Sequence, residues 1–292
     1  MTNQSDASLR NRHEILVKTR FLRPSLSKAE KKAADCLMED PRRLLTMTLG
    51  EFAAAAQCSQ ASVVRFCRSL GFDGFSDLKL QLSSELAVGE PDTQFEEVTV
   101  DDGPAEIMEK VFRINIQILK DTLTLSSHHA FDQALQALSR AKSIALFGIG
   151  DAAVPCYFAH VKFKRLGIRT EMHTDPDLQL IVASLLGPGD VAIAISHSGR
   201  SSVIVEAMRL AREGGATTIC ITKFDRSPLA RICDIKLFTA TADATIGREI
   251  VARRVAEQAI LESLYLGLLA KKGPETLEKL KRTTKAVEFN KL

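Results

Sequence analysis

Three serine residues lie close together in the stretch Ser196-His197-Ser198-Gly199-Arg200-Ser201. Residues 191–195, directly before it, are small or β-branched and predict a buried strand. The residues after it predict an amphipathic helix whose apolar face consists of Val203, Ala207, Leu210 and Ala211. The serines therefore fall in the turn between a strand and the start of a helix.

Such a turn has the chemistry of an anion site. The first amides of a helix have no intrahelical partner, and the helix dipole is positive at that end. Serine hydroxyls can donate to phosphate oxygens, and Gly199 lets the backbone approach the bound group. The spacing therefore predicts that Ser196, Ser198 and Ser201 bind phosphate, with an ordinary serine-capped turn as the alternative. Because strand side chains alternate, His197 points either into this site or away from it.

A second strand end carries Phe147-Gly148-Ile149-Gly150-Asp151-Ala152. This is half of the G-x-G-x-x-G fingerprint for dinucleotides. The third glycine is replaced by Ala153, and Met172 stands where an acidic residue would be needed. The pattern therefore disfavours a nicotinamide cofactor, and we expect no cofactor.

Residues 48–70 have the pattern of two short helices. Thr48 caps the first and Ser59 the second, and Gly71 ends the second. The expected buried positions are Leu49, Phe52, Ala53 and Ala56 in the first helix and Val63, Phe66, Cys67 and Leu70 in the second. Two helices joined by such a brief turn match the helix-turn-helix unit.

The second of these helices is expected to expose Gln60, Ala61, Ser62, Val64, Arg65 and Arg68. An amide suits adenine, a guanidinium suits guanine or phosphate, and small apolar groups suit the thymine methyl. Ser59 and Ser62 can hold phosphates at the helix start. An ordinary αα-hairpin is the alternative, but its outer face would typically contain Glu and Lys, whereas no carboxylate lies between Ser59 and Leu70. The pattern favours DNA binding.

Composition sets the class of protein. A chain of 292 residues with 45% hydrophobic and 26% charged residues is long enough for two globular domains. We expect no membrane span and, because the first 18 residues lack an apolar core, no signal peptide. The six cysteines form no C-x-x-C pair, so we expect neither a metal site nor disulfides, and a cytoplasmic protein. A net charge of +3 is too small to demonstrate a nucleic-acid partner.

The remaining pattern predicts an all-α domain followed by an α/β domain. We expect helices from Pro24 to Asp40 and from Arg42, and loose residues at 1–11. The predicted domains are 12–88 for the helix-turn-helix domain, 89–132 for a linker and connecting helix, 133–273 for the α/β domain and 274–292 for an exposed tail. The connecting helix, 105–125, is expected to pack on the second domain or on another subunit. Predicted strands at 143–147, 168–172, 190–195, 217–221 and 234–238 alternate with helices, which indicates a doubly wound parallel sheet with ligands beyond the carboxyl ends of the strands.

Both halves resemble known families. The serine motif after DVAIAIS is similar to the phosphate loop of sugar-isomerase (SIS) domains, which bind phosphosugars and have a flavodoxin-like fold. SQASVVRFCRSLGFDGFSDLK resembles the helix-turn-helix domain of the RpiR family of bacterial transcription regulators, which joins that domain to a SIS domain. The resemblance covers about residues 12 to 273 and adds Lys79 to the predicted DNA contacts.

The SIS resemblance also implies which residues approach the effector. In the family the G-x-G turn approaches the sugar, here at Gly148 and Gly150, and a helix start contributes an arginine, here Arg254 in a helix expected over 246–270. Pairing of Arg254 with Gln258 along its own helix is the alternative. The family often has a serine where this chain has Asp151-Ala152, which leaves open whether Asp151 accepts from sugar hydroxyls or caps its helix. The predicted effector site is thus Gly148, Gly150, Asp151, Ser196, Ser198, Gly199, Ser201 and Arg254.

The implied function is a transcription regulator that responds to a phosphorylated sugar or sugar acid. The expected partners are double-stranded operator DNA, the effector and a second copy in a homodimer or homotetramer, and no membrane. An aldose–ketose isomerase needs a base such as Glu249, Glu257 or His197, and no pair of these is oriented by the sequence. The isomerase and a phosphosugar-binding scaffold without a DNA role remain alternatives, and we expect no enzymatic activity.

Overall fold

The computed structural model describes residues 14–87, 98–240 and 253–290. The chain divides into two compact units, residues 1–125 and 126–292. In the described residues, no helix is long and apolar enough to cross a membrane.

The first unit is entirely helical. Its helices are α1 (Glu14–Leu22), α2 (Lys28–Glu39), α3 (Pro41–Leu44), α4 (Leu49–Ala55), α5 (Gln60–Ser69), α6 (Phe75–Leu86) and α7 (Pro104–Leu125), with a 3₁₀ turn at Arg23–Ser25. The expected helices over 24–40 and from 42 correspond to α2 and α3, whereas α1 was not predicted. Ser27 and Glu30 form a capping box at α2, and Thr48 and Glu51 form another at α4. These reciprocal bonds satisfy amides at the helix starts.

The helix α7 belongs to the first unit and packs against α1. Its contact includes an ion pair between Arg20 and Asp121, whose carboxylate side chain is only 4% exposed. Gln117 donates to the other carboxylate oxygen over 2.9 Å. Its buried charge pair with α1 groups it with the helix-turn-helix unit. Its packing on the second domain or on another subunit stays a prediction.

A buried carboxyl fastens α1 to α6. Both oxygens of Glu85 accept from the backbone N–H of Ile15, at 3.0 and 3.1 Å. Burial outweighs this bond and raises the pKa of Glu85 from 4.5 to about 7. Between about pH 4.5 and pH 7 the Glu85 carboxyl is therefore protonated in the folded state and ionised in the unfolded state.

This raised pKa predicts a pH-dependent stability. The contribution of Glu85 is complete below about pH 4.5 and is lost as the pH rises through about 7. Each pKa unit corresponds to about 1.4 kcal/mol, so the complete loss, for a pKa raised from 4.5 to about 7, amounts to roughly 3–4 kcal/mol. Thermal midpoints measured from pH 5 to pH 8 should fall less for Glu85→Gln, which keeps an acceptor for Ile15, than for the natural chain. Parallel pH profiles for the two proteins would contradict this prediction.

The second unit is a parallel sheet with helices on both faces. Its strands are β1 (Ile144–Phe147), β2 (Thr170–Met172), β3 (Val191–Ile195), β4 (Thr217–Lys223) and β5 (Ile235–Thr239), in the order β2-β1-β3-β4-β5. Its helices are α8 (His128–Arg140), α9 (Ala153–Arg165), α10 (Pro176–Leu185), α11 (Ser202–Glu213), α12 (Pro228–Ile232), α13 (Arg253–Lys272) and α14 (Pro274–Lys285), with 3₁₀ turns at Gly150–Ala152 and Glu288–Asn290. This strand order is the flavodoxin-like doubly wound arrangement, so the predicted fold class is confirmed.

The helices α8, α9 and α13 cover one face of the sheet, and α10, α11 and α12 cover the other. The strand β3 is buried along its whole length, as its apolar sequence predicted. The expected apolar face of α11 was partly wrong. The buried residues are Ile204, Ala207, Met208 and Ala211, while Val203 and Leu210 are half-buried. The side chains that pack against the sheet thus form a stripe that is rotated about the helix axis relative to the predicted one.

The end of the chain differs from the expected exposed extension. Residues 274–285 form α14, which packs on the end of α9 through a 2.7 Å hydrogen bond from Arg165 to the Thr284 hydroxyl. The helix predicted over 246–270 is described as α13 from Arg253, and residues 241–252 lie outside the described part of the chain.

Candidate functional site: a serine-lined pocket and an exposed helix

The stretch 196–201, called the serine cup below, begins where β3 ends. The strand β1 pairs with β3, and both strands end at the same edge of the sheet. The turn Gly150–Ala152 after β1 therefore meets the serine cup, and the two enclose a pocket of about 240 Å³. The pocket is lined by Ile149, Asp151, Ala152, Ile195, Ser196, His197, Ser198, Ser201, Ile204, Arg254 and Glu257.

The structure brings five predicted effector residues into this lining: Asp151, Ser196, Ser198, Ser201 and Arg254. His197, whose direction the alternation rule left open, also lines the pocket. Glu257, which the sequence suggested only as a possible base, lies on the pocket wall with its side chain 3% exposed. Three hydroxyls, one guanidinium and a helix start therefore converge on one space.

The three predicted glycines have different roles. Gly148 is buried, its carbonyl accepts from the buried amide of Gln179, and it does not line the pocket. A side chain at Gly148 would meet Cys156 Sγ at 2.7 Å, so this glycine is required for packing. Gly150 has a φ of +58° and open space around it. Glycine therefore suits this position because of the backbone conformation and not because space is short.

The serine cup is fastened to β4 and α12. The carbonyl of His197 accepts from the N–H of Lys223 and from the hydroxyl of Thr222, both over 3.2 Å. Gly199 accepts from the N–H of Leu229 over 3.1 Å. These bonds fix the backbone of the serine cup relative to β4 and α12.

Arg200 contributes to this fastening. Its guanidinium lies 2.8 Å from the carboxylate of Asp225, which is 5% exposed. In the structure its charge is paired with a buried carboxylate after β4. Asp225 was missed because nothing local in KFDRSPLA indicates that it faces the cup.

Gly199 lies where a side chain cannot fit. Its φ is +61°, and an added Cβ would lie 2.6 Å from Ser227 Cβ and 3.0 Å from Thr222 Oγ1. Ser227 cannot move freely because it is fully buried and caps α12 by accepting from Ala230 N–H over 3.2 Å.

We therefore expect Gly199→Ala to destabilise the protein by about 2–4 kcal/mol, the sum of left-handed strain and overpacking. Gly150→Ala is the matched control, since it has the same strain without the contact and should cost only about 1–2 kcal/mol. Urea unfolding of the two variants measures the difference. Equal losses would contradict the packing role of Gly199.

Arg254 pairs with Asp151, which also lines the pocket, and does not pair with Gln258. Its Nη2 lies 2.7 Å from Asp151 Oδ2, and its Nη1 donates to the Asp151 backbone carbonyl. The Glu257 carboxylate lies 3.8 Å from the same guanidinium. Gln258 instead donates to Glu262 over 3.2 Å.

The second predicted site is the outer face of α5. The expected buried residues of this helix, Val63, Phe66, Cys67 and Leu70, are all buried. Ser59, Gln60, Arg65 and Arg68 are exposed and Val64 is half-buried. The turn before the helix is formed by Gln57, the only described non-glycine residue with a positive φ, at +49°.

Two predicted DNA contacts have hydrogen-bond partners within the first unit. Ser62 is 3% exposed, so the expectation that it faces outwards is wrong. Its hydroxyl lies 2.9 Å from the hydroxyl of Ser59, which caps the helix, and accepts from Arg65. Lys79 Nζ donates to the Met47 carbonyl over 3.0 Å, which joins α6 to the loop before α4.

A helix-turn-helix unit and a flavodoxin-like α/β unit with a serine-lined pocket occur in one chain. Together they define a class of protein, the transcription regulators that carry a SIS domain. Family models agree with this division. The helix-turn-helix domain of the rpiR family matches residues 14–89, and the SIS domain matches residues 137–267.

Related proteins identify the family. A transcription regulator of Caldanaerobacter subterraneus is 32% identical over 96% of this chain and 99% of its own length. HexR of Pseudomonas aeruginosa is 32% identical over 88% of this chain and 90% of its own length. The chain belongs to the RpiR family of HTH-type transcriptional regulators, as the sequence resemblance predicted.

Solved structures support the fold. The NanR protein of Vibrio vulnificus, complexed with ManNAc-6P, covers 94% of this chain and 97% of its own with a TM-score of 0.59 and 24% identity. The sugar isomerase domain of an RpiR transcription factor from Sphaerobacter thermophilus covers 61% of this chain and 98% of its own, with a TM-score of 0.57 and 27% identity.

Proposed function

We propose that this protein regulates the transcription of genes for carbohydrate metabolism and that a phosphorylated sugar or sugar acid modulates its binding to operator DNA. The observation that carries the proposal is the pocket in which Ser196, Ser198, Ser201 and Arg254 converge. A phosphate needs several donors and a positive charge, and this pocket supplies hydroxyls, a guanidinium and the start of α11.

The rest of the pocket suits a sugar. Glu257 is an acceptor for ligand hydroxyls, and Ile149, Ile195 and Ile204 provide apolar contact. Pockets that combine apolar walls with a few convergent polar groups are typical of small-molecule sites. The NanR protein, which has the same fold, is complexed with the phosphosugar ManNAc-6P.

The exposed face of α5 suits DNA. Gln60, Arg65 and Arg68 project from it, and no carboxylate accompanies them. This helix is the second of the helix-turn-helix unit, the one that enters the major groove in such proteins. The operator is double-stranded DNA, which a homodimer or homotetramer would contact with two recognition helices.

In this mechanism the effector changes the spacing of the two recognition helices. A coupling free energy of about 1–3 kcal/mol between the two sites is sufficient to change operator occupancy. The proposal is tested by titrating a panel of sugar phosphates into the protein bound to DNA upstream of its neighbouring genes. Altered DNA affinity without consumption of the ligand supports regulation. Turnover of a ligand would favour the isomerase, and no effect of any ligand would refute the coupling.

The DNA-binding half of the proposal predicts the effect of Arg65→Ala. Loss of a guanidinium that contacts a base is expected to weaken operator binding by about 1–3 kcal/mol and to leave effector binding unchanged. A gel-shift titration at constant salt measures the change. Arg113→Ala, an exposed arginine of α7 paired with Glu109, is the matched control. Equal operator affinity of Arg65→Ala and the natural chain would exclude Arg65 from base contact.

A further inference from the structure

The pocket contains an anion supplied by the protein itself. Asp151 holds the Arg254 guanidinium with both its carboxylate, at 2.7 Å, and its backbone carbonyl. Among the described residues that line the pocket, Arg254 is the only arginine or lysine. A phosphate that binds in the serine cup would therefore meet an arginine already occupied by a carboxylate.

Backbone geometry sets Asp151 in this position. Gly150, with its positive φ of 58°, turns the chain sharply after β1, and the 3₁₀ turn Gly150–Ala152 then presents Asp151 at the pocket. Since β1 and β3 are neighbours, this turn lies beside the serine cup. Asp151 thus lines the same pocket as the serine cup.

The Asp151–Arg254 pair is suited to exchange. The Asp151 side chain is 64% exposed and the Arg254 side chain 34% exposed. Ion pairs open to water contribute only about 0.2–1 kcal/mol. A phosphate dianion carries more charge than a carboxylate and can accept two bonds from one guanidinium, so it can displace the carboxylate.

We propose that Asp151 is a built-in competitor of the effector: phosphate binding transfers Arg254 from the Asp151 carboxylate to the phosphate. The inference rests on the proposed effector site. It makes Asp151 a residue that lowers effector affinity and selects ligands with a doubly charged group. A free sugar or a singly charged ligand cannot replace the carboxylate at Arg254.

Asp151→Asn tests this inference in the full chain, because it keeps the shape of the side chain and removes its charge. The probes are inorganic phosphate and glucose 6-phosphate, titrated by calorimetry. Without the competitor, both probes should bind with a dissociation constant about two- to fivefold lower, the factor that corresponds to an exposed ion pair. Glu262→Gln removes the same charge from the exposed part of α13 and should leave the dissociation constants unchanged. Unchanged or weaker binding by Asp151→Asn would overturn the proposal.

A second variant separates competition for Arg254 from simple repulsion between the Asp151 carboxylate and phosphate. In an Arg254→Gln background, the gain from Asp151→Asn should disappear, because there is no longer a guanidinium to release. A gain that persists in full would attribute the effect to repulsion and overturn the proposal. If neither probe binds to the natural chain or to any variant, the phosphate site itself is refuted. If the natural chain binds and Asp151→Asn shows no gain, only the competitor role is lost.

Discussion

Replacing Ser196 and Ser198 together with alanine is expected to abolish the response to phosphosugar while operator binding survives. Both serines line the pocket at the end of β3, and Ser196 is only 6% exposed, so its hydroxyl is screened from bulk water. A hydrogen bond to a charged group contributes about 1.5–3 kcal/mol. Loss of two such bonds therefore weakens phosphate binding by about 3–6 kcal/mol, or roughly a hundredfold to ten-thousandfold.

This outcome is measured by calorimetry with glucose 6-phosphate and inorganic phosphate, and by gel shift for the operator. Ser202→Ala is the matched control: Ser202 is exposed, adjoins the serine cup and does not line the pocket. Its removal should change phosphate affinity by less than about 0.5 kcal/mol, as for most surface substitutions. A double variant that still responds to phosphosugar would place the phosphate elsewhere.

Asp121→Ala is expected to destabilise the first unit by about 3–5 kcal/mol. Removal of one partner from a buried ion pair leaves the other charge in an environment of low polarity without its oppositely charged partner. In the intact pair the Asp121 side chain is 4% exposed and the Arg20 side chain 20% exposed. Burial raises the pKa of Asp121 and lowers that of Arg20, which shows that the site penalises either charge alone.

Two further variants make this prediction sharp. The exposed pair Arg23–Asp35, with side chains 49% and 51% exposed, is the control, and Asp35→Ala should cost less than about 1 kcal/mol. The double variant Arg20→Met with Asp121→Leu should recover most of the lost stability, because two apolar side chains replace two buried charges. Urea unfolding monitored by circular dichroism measures all three. The buried-pair interpretation fails if Asp121→Ala and Asp35→Ala lose equal stability.

The helix-turn-helix core was predictable because its signals are local. The spacing of Phe52 and Ala53 in α4 and of Val63, Phe66 and Cys67 in α5 follows the helical repeat, and each helix begins at a capping hydroxyl. A repeat of 3.6 residues determines which side chains share a face, whatever lies opposite. The parallel sheet was predictable for a similar reason, since short apolar strands alternate with helices.

Errors arose where a neighbouring element decides the outcome. The helix α1 has a weak pattern, and its first amides are held by Glu85, which is 70 residues away in the sequence. Ser62 was assigned to the outer face because it lies outside the apolar repeat of α5, but its hydroxyl is paired with Ser59 in a buried position. In both cases a buried polar group, the Glu85 carboxyl or the Ser62 hydroxyl, has a hydrogen-bond partner that offsets the cost of removing it from water.

The order of apolar and polar residues by itself determined the two folds, the serine cup and the face of α5 that is free of carboxylates. The patterns that indicate these features are formed by residues close in the chain. Only the tertiary structure decided that Asp151 meets Arg254, 103 positions further on, and that Asp225 holds Arg200 beside the cup. The physical reason is that a parallel sheet brings the ends of separate strands to one edge. Which charged side chains meet at that edge depends on the order of the strands. The spacing of residues along the chain does not specify that order.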